Sequence, residues 1–285
     1  MGAAPTPAVR APCPVVHPPG LRRSARDIAV LTRRNLLHTV RLPGVLLVSS
    51  LMPVIFIVMF TYVFSGAVQA ALPPAAAGKY VNWLVPGLLA QFALFGGSGT
   101  AAGLADDLAK GSIDRFRSLP MARVAVLAGR TLSDLCRSAL TLTLMAMVGF
   151  AIGFRWQTSL LGLVGGIGVA LVFGYAWSWV MAIVGLLVRT AEAVQAAVYM
   201  VVLPLGFTSA VFVPAQTMPS WLRPFAAHQP VTVTANAVRG LVLGPGALPP
   251  GQTVAGQVGL SLLWATAITV VCIPVAVRVY RRTVT

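Results

Sequence analysis

Six stretches of this chain run for about twenty residues or more with almost no charge, and that is the helical length needed to cross about 30 Å of hydrocarbon. They are Gly44–Phe64, Trp83–Ala105, Thr131–Phe154, Leu160–Val188, Ala193–Val213 and Leu260–Tyr280. No water reaches backbone N–H and C=O groups inside a bilayer, so each block must satisfy its own hydrogen bonds as a helix. The expected fold class is therefore all-α, a polytopic membrane protein with six transmembrane helices. Composition agrees, because 57% of the 285 residues are hydrophobic and 9% charged, against about 25% charged in a soluble domain.

The connecting segments have their own chemistry. Residues 1–23 hold Pro5, Pro7, Pro12, Pro14, Pro18 and Pro19 with little to bury, so a disordered tail is expected. Its lack of an apolar h-region argues against a signal peptide. From Ser24, Ala25, Ile28, Ala29, Thr32 and Leu36 recur at helical spacing, with Arg22, Arg26, Arg33, Arg34 and Arg41 on the opposite arc. Ser24 and Asp27 fit a capping box. This predicts an interfacial helix over 24–41, turned into the bilayer by Pro43 and Gly44. The membrane domain is then 24–285. The long segment Pro214–Gly256, rich in proline and weakly amphipathic over Thr232–Leu243, reads as short helices dipping into the outer interface, with Trp221 at the headgroups.

The net charge of +15 resolves into topology. Six spans put on one side Arg10, Arg22, Arg23, Arg26, Arg33, Arg34 and Arg41, then Lys110, Arg115, Arg117, Arg123, Arg130 and Arg137, then Arg189, Arg278, Arg281 and Arg282. That is seventeen of the 21 basic residues, and all six acids accompany them. The other side keeps Lys79, Arg155, Arg223 and Arg239. The positive-inside rule makes the rich side cytoplasmic, with both termini in the cytoplasm of a bacterial cell and the chain in its plasma membrane. Basic residues scattered between apolar blocks form no single nucleic-acid-binding face, and anionic lipid is the partner they suit.

Few residues stand out as chemistry. The segment Asp106–Arg130 predicts a helix ended at Gly111, a short helix through Arg117, and a new helix opened by Ser118 and Pro120. Phe116 between Arg115 and Arg117 is an aromatic knob rimmed by guanidinium groups, suited either to the centre of a protein interface or to the lipid headgroups. Asp134 and Arg137, and Arg189 and Glu192, are spaced for ion pairs. Gln91, deep in the second span, needs an interhelical partner or a wet cavity, so it belongs to helix packing or to a substrate path. Gly96, Gly97, Ser98 and Gly99, and the Gly162/Gly166 pair, permit close helix approach. Cys13, Cys136 and Cys272 are scattered, as are His17, His38 and His228, and no metal site is indicated.

The chain resembles permeases of the ABC type-2 exporters, particularly the daunorubicin and multidrug efflux kind. The resemblance rests on RNLLHTVRLPG from Arg34, VPGLLAQ from Val85, DLAKGSIDRFRSLPMARVAVLAGR from Asp107, and VPAQTMPSWLRPFAAHQPVT from Val213. It implies that six spans form half of a pore, that a second permease half completes it, and that an ATPase supplies energy. By position, Asp107, Lys110, Gly111, Asp114, Arg115, Phe116, Arg117, Leu119 and Pro120 would form the coupling helix on that ATPase. Arg26, Arg33, Arg34 and Arg41 would lie on the connecting helix beside it. No G-x-x-x-x-G-K-[ST] occurs, so this chain is expected to be no enzyme and to bind no cofactor, with ATP and Mg on a separate ATPase subunit. Apolar walls predict an amphipathic, drug-like or lipidic cargo. The alternative is an intramembrane prenyl- or phosphoalcohol-transferase using Asp106, Asp107 and Asp114, whose spacing does not match that chemistry. An ion-coupled transporter would need ionisable groups at the midplane, which the spans lack.

Overall fold

A computed structural model describes residues 43–68, 72, 79–109, 123–188 and 190–283. Among the described residues every regular element is helical: α1 Pro43–Val68, α2 Tyr80–Gly96, α3 Ser98–Ala109, α4 Arg123–Ile152, α5 Leu160–Leu187, α6 Ala191–Phe207, α7 Arg223–His228, α8 Pro230–Leu243 and α9 Val254–Thr283. Short 3₁₀ turns lie at Ala215–Thr217 and Pro245–Ala247. Only Gly97 divides α2 from α3, and Tyr80–Asp106 is one 27-residue apolar span. Leu127–Ile152, Leu160–Leu187 and Val254–Tyr280 are the other three helices long and apolar enough to cross a membrane. The apolar parts of α1, Leu51–Gly66, and α6, Glu192–Phe207, complete the set of six.

Local chemistry sets the ends. Ser159 and Thr190 cap α5 and α6, accepting from Gly162 N at 3.1 Å and Ala193 N at 3.3 Å. Gly153, at φ +113°, stops α4: its own N–H bonds to Phe150 O and that of Phe154 to Gly149 O, a Schellman ending that needs a left-handed residue. Pro204 and Gly206 weaken the last turn of α6. The Thr208 and Ser209 hydroxyls then donate to the Pro204 and Gly206 carbonyls beside their own backbone N–H groups, so side chains compete for the last helical acceptors. The fifth span thus ends at Phe207, short of the expected Val213.

Two clusters make up the core. The larger runs through α1 to α6 and α8, with residues such as Phe60, Leu84, Leu88, Phe173, Val211 and Val238. The smaller lies where α3, α4, α5 and α9 converge, with Leu104, Leu127, Trp179, Leu186, Ala276 and Tyr280. Outward faces are apolar: Leu51, Ile55, Tyr62 and Val63 on α1, Met200 and Phe207 on α6, and Leu263, Val270 and Val271 on α9 are all exposed. Apolar exposure on this scale suits lipid or a partner helix, and water would not tolerate it.

The segment after α6 forms the expected short helices, and α8 is embedded in the protein. Twelve of its residues are buried, and it packs among α2, α5 and α9. The Gly162/Gly166 face of α5 receives it, since a Cβ at Gly162 would overlap Leu241 O and one at Gly166 would approach Val242 Cγ2 to 3.0 Å. Trp221 is exposed, as an interfacial tryptophan would be.

Candidate functional site

One face of α4 carries Arg130, Asp134, Arg137, Ser138 and Thr141, spaced so that they stack along one side of a helix. Opposite them α2 and α3 present Gly96, Gly99 and Gly103. A Cβ at Gly103 would overlap the Arg130 guanidinium, one at Gly99 the Arg137 guanidinium, and one at Gly96 the Ser138 hydroxyl. The glycine-rich cluster therefore makes room for polar side chains as well as for backbone, which approaches on the other side: a Cβ at Gly97 would sit 2.9 Å from Ser178 Cα of α5.

Asp134 is buried and well held. Its Oδ1 meets Arg137 Nη2 at 3.2 Å, and its Oδ2 accepts the Thr100 hydroxyl. Arg137 Nη2 also donates to Gly96 O at 3.2 Å. A carboxylate inside a span is tolerable only with such partners, and ionisable groups there mark functional sites by default.

Beside this cluster lies a cavity of about 570 Å³, within the usual size range of ligand sites. Met52 and Phe56 of α1, Phe92, Phe95 and Gly96 of α2, Ser98 of α3, Arg137, Ser138 and Thr141 of α4, and Tyr199 and Leu203 of α6 line it. One wall is aromatic and the other hydroxylated and cationic. From the aromatic wall a file of rings leads outward: Phe92 meets Phe56 edge-on at 5.7 Å, Phe56 stacks on Phe60 at 5.7 Å, Phe60 on Phe212 at 4.5 Å, and Phe212 on Phe207 at 5.5 Å.

The far end of that file is locked by a residue that charge counting places on the outer side. Arg239 of α8 is fully buried. It donates to Ala210 O and Val211 O at 2.8 Å each, to Trp83 O at 3.2 Å and to Asn236 Oδ1 at 3.2 Å, with its guanidinium carbon 3.6 Å from the centre of the Trp83 ring. Two backbone carbonyls beyond the early end of α6 and one in the first turn of α2 thus converge on one cation. Gly87 admits it, since a Cβ there would lie 2.7 Å from Arg239 Nη2. Tyr80 adds a bond from its hydroxyl to Phe212 O at 2.8 Å. The available signal is an arginine with an asparagine three residues earlier in a largely apolar helix, without an acid nearby.

Gln91 is buried with its amide against Gly206 of α6, outside the cavity wall, and its Oε1 meets no partner among the described residues. Of Asp107 only the helical backbone is described. Lys110, Gly111, Asp114, Arg115, Phe116, Arg117, Leu119 and Pro120 lie outside the described residues, as do Arg26, Arg33, Arg34 and Arg41. Among the described residues no three His, Cys, Asp or Glu side chains gather as a metal site would require.

The model of a family described as ABC-2 type transporter matches residues 26–243, about three quarters of the chain. The chain belongs to the ABC-2 type transporter family. A daunorubicin resistance ABC transporter permease of Streptomyces coeruleorubidus is 34% identical to this permease over 231 residues, covering 81% of this chain and 77% of that protein. A probable doxorubicin resistance ABC transporter permease of Mycobacterium tuberculosis is 28% identical over 232 residues, covering 81% and 79%. A second doxorubicin resistance permease of that organism is 27% identical over 221 residues. In the ABC-2 permease the matched region includes the cavity, the ring file and the Arg239 lock, and it ends at Leu243, the last residue of α8.

Proposed function

We propose that this permease is the membrane half of an ATP-driven exporter whose cargo enters the cavity between α1, α2, α4 and α6. The observation that carries the reading is that cavity itself: about 570 Å³, walled by aromatics on one side and by Arg137, Ser138 and Thr141 on the other, with a file of rings leading to the opposite end of the bundle. Such a space fits an amphipathic molecule, drug-like or lipidic, and the resistance permeases it resembles are named for daunorubicin and doxorubicin. The cavity lies between α1 and α6, whose exposed apolar faces would take a second permease half.

Energy would come from a separate ATPase subunit docked on the arginine-rich segment 110–122 and the preceding surface helix, both facing the cytoplasm with the two termini. Two permease halves then rock as the ATPase dimer closes, and the ring file opens outward. Filling the cavity with Thr141→Trp is expected to abolish export and cargo-stimulated ATP hydrolysis while the ATPase still co-purifies. Replacing Phe116 and Arg117 together is expected to do the reverse, losing co-purification with the cavity intact. Export that survives Thr141→Trp would remove the cavity from the transport path, and retention of the ATPase by the Phe116/Arg117 variant would remove the docking assignment.

A further inference from the structure

We infer that a second, smaller cavity, at the Arg239 end of the bundle, binds the head of an anionic phospholipid, its phosphate held by Arg223 and Asn236 and a small polyol carried beside it. This site is separate from the cargo cavity and does not rest on that reading. Its volume is about 160 Å³, below the usual range of ligand pockets and equal to about five waters at the share each takes in the liquid, so it suits a head group and no multi-ring body. Trp83, Gln216, Arg223, Thr232, Asn236 and Gln252 supply its polar groups. Asn236 is buried, and its Oδ1 accepts from Arg239 Nη1 at 3.2 Å. That bond fixes the amide, so the end left for a ligand is the Nδ2 donor. Arg223 is exposed and holds Gln216 O at 2.8 Å and Met218 O at 3.3 Å through Nη2 alone, so Nη1 and Nε donate to no group among the described residues. Trp83 Nε1 and Gln252 Oε1, buried on two more lining residues, also meet no partner among them.

The charge balance here is positive. Residues 28–105, 135–191 and 193–285 contain no Asp or Glu, and every residue of this lining falls within them. Asp134 meets Thr100, which lies about 25 Å beyond Trp83 along the α2–α3 span at helical rise. Against this stand two cations: Arg223 in the lining, and Arg239 behind it, bonded to Asn236 and stacked on the Trp83 ring. A guanidinium with unspent N–H groups fits a phosphate through two parallel bonds, and a neighbouring amide N–H adds a third. Trp221 and Phe225, two residues to either side of Arg223, are large, apolar and exposed, as side chains at the head-group level of a bilayer are. Arg223 thus sits where lipid phosphates run. A choline or ethanolamine head would bring a cation toward two arginines with no acid to receive it, whereas a glycerol head brings only hydroxyls.

The test uses the purified full-length permease in maltoside detergent, with a tail-labelled fluorescent phosphatidylglycerol as tracer and its anisotropy as the readout. Dioctanoyl phosphatidylglycerol is expected to displace the tracer with at least about tenfold higher affinity than dioctanoyl phosphatidylcholine. Arg223→Gln is expected to weaken that binding about tenfold and erase the preference, with Arg223→Lys in between. Gln252→Glu sets a carboxylate into the lining while leaving the Arg223 bonds in place; it is expected to do the same, and it stands in where Arg223→Gln does not accumulate. Lys79→Gln, which removes a cation at the same end but outside the lining, and Thr141→Trp, which fills the cargo cavity, both keep the preference. Equal affinity for the two lipids, a preference that survives both lining variants, or one lost equally in Lys79→Gln overturns the proposal. Displacement abolished by Thr141→Trp would move the head group to the cargo cavity and overturn it as well. Inorganic phosphate that displaces the tracer as effectively as the short-chain lipid would make the ligand a free anion and sink the lipid assignment.

Discussion

Arg239 shows how a single buried side chain substitutes for secondary structure. The turn after α6 leaves the Ala210 and Val211 carbonyls without helical donors, and a buried unpaired carbonyl costs roughly 1–3 kcal/mol. One guanidinium satisfies both together with Trp83 O, and its planar fork is what makes the three directions compatible. Arg239→Lys keeps the charge and loses the fork, so it is expected to destabilise the protein by about 2–4 kcal/mol, read as a lower midpoint of thermal unfolding in detergent. Full retention of that midpoint would show the lock to be dispensable. Gln91 and Gly206 form a second residue-level fit. Gly206→Ala collides with the Gln91 amide and is expected to cost about 1–3 kcal/mol, most of it recovered when Gln91→Ala is added. A double variant no more stable than Gly206→Ala would rule out that contact as the cause.

At the scale of elements, small residues decide which helices touch. α3 is held between α4 and α5 because Gly99 and Gly103 yield to polar side chains of α4 while Gly97 and Gly185 of α5 let backbones approach on the other side, and α5 accepts α8 along Gly162 and Gly166. Gly168, in the same helix, has nothing within 4 Å of where a Cβ would stand. Gly166→Leu is therefore expected to push α8 away and destabilise by about 1–3 kcal/mol, while Gly168→Ala is neutral or raises stability by up to about 1 kcal/mol through helix propensity. Limited proteolysis of the α7–α8 segment checks this, because displacing α8 exposes the Pro214–Gln229 region to cleavage. Equal protease resistance in the two variants would contradict the packing.

The whole molecule has two unlike ends. At one, Tyr80, Phe212, Thr158 and Gln157 tie the starts of α2 and α5 to the α6–α8 segment, through bonds such as Gln157 N to Val242 O at 2.9 Å and Thr158 Oγ1 to Leu241 O at 2.6 Å. At the other, the Leu104–Tyr280 cluster gathers the helix ends that lead into arginine-rich connections. With Arg239 buried, the first end keeps only Lys79, Arg155 and Arg223 as loop cations, which sharpens the charge asymmetry. In a cysteine-free background, a cysteine at Trp156 is expected to react with an impermeant thiol reagent in intact cells and one at Arg282 only after permeabilisation. The opposite labelling would invert the proposed orientation.

Period and polarity were enough to read the helical class, the run of apolar blocks, the close-packing glycines and the Asp134–Arg137 pair, because hydrocarbon admits so few backbone solutions. Each follows from neighbours in the chain and from the solvent around it. The cavity, the ring file from Phe92 to Phe207 and the capture of carbonyls by Arg239 join residues from separate helices, up to 156 positions apart between Trp83 and Arg239, and no local pattern encodes such meetings. Arg239 shows the same limit: counted along the chain it is one cation of the outer side, and only the folding of α8 into the bundle turns it into an interior donor. The sequence by itself determined what must be buried in lipid; tertiary packing decided which polar groups would be buried in protein, since their desolvation is tolerable only where distant partners arrive to meet them.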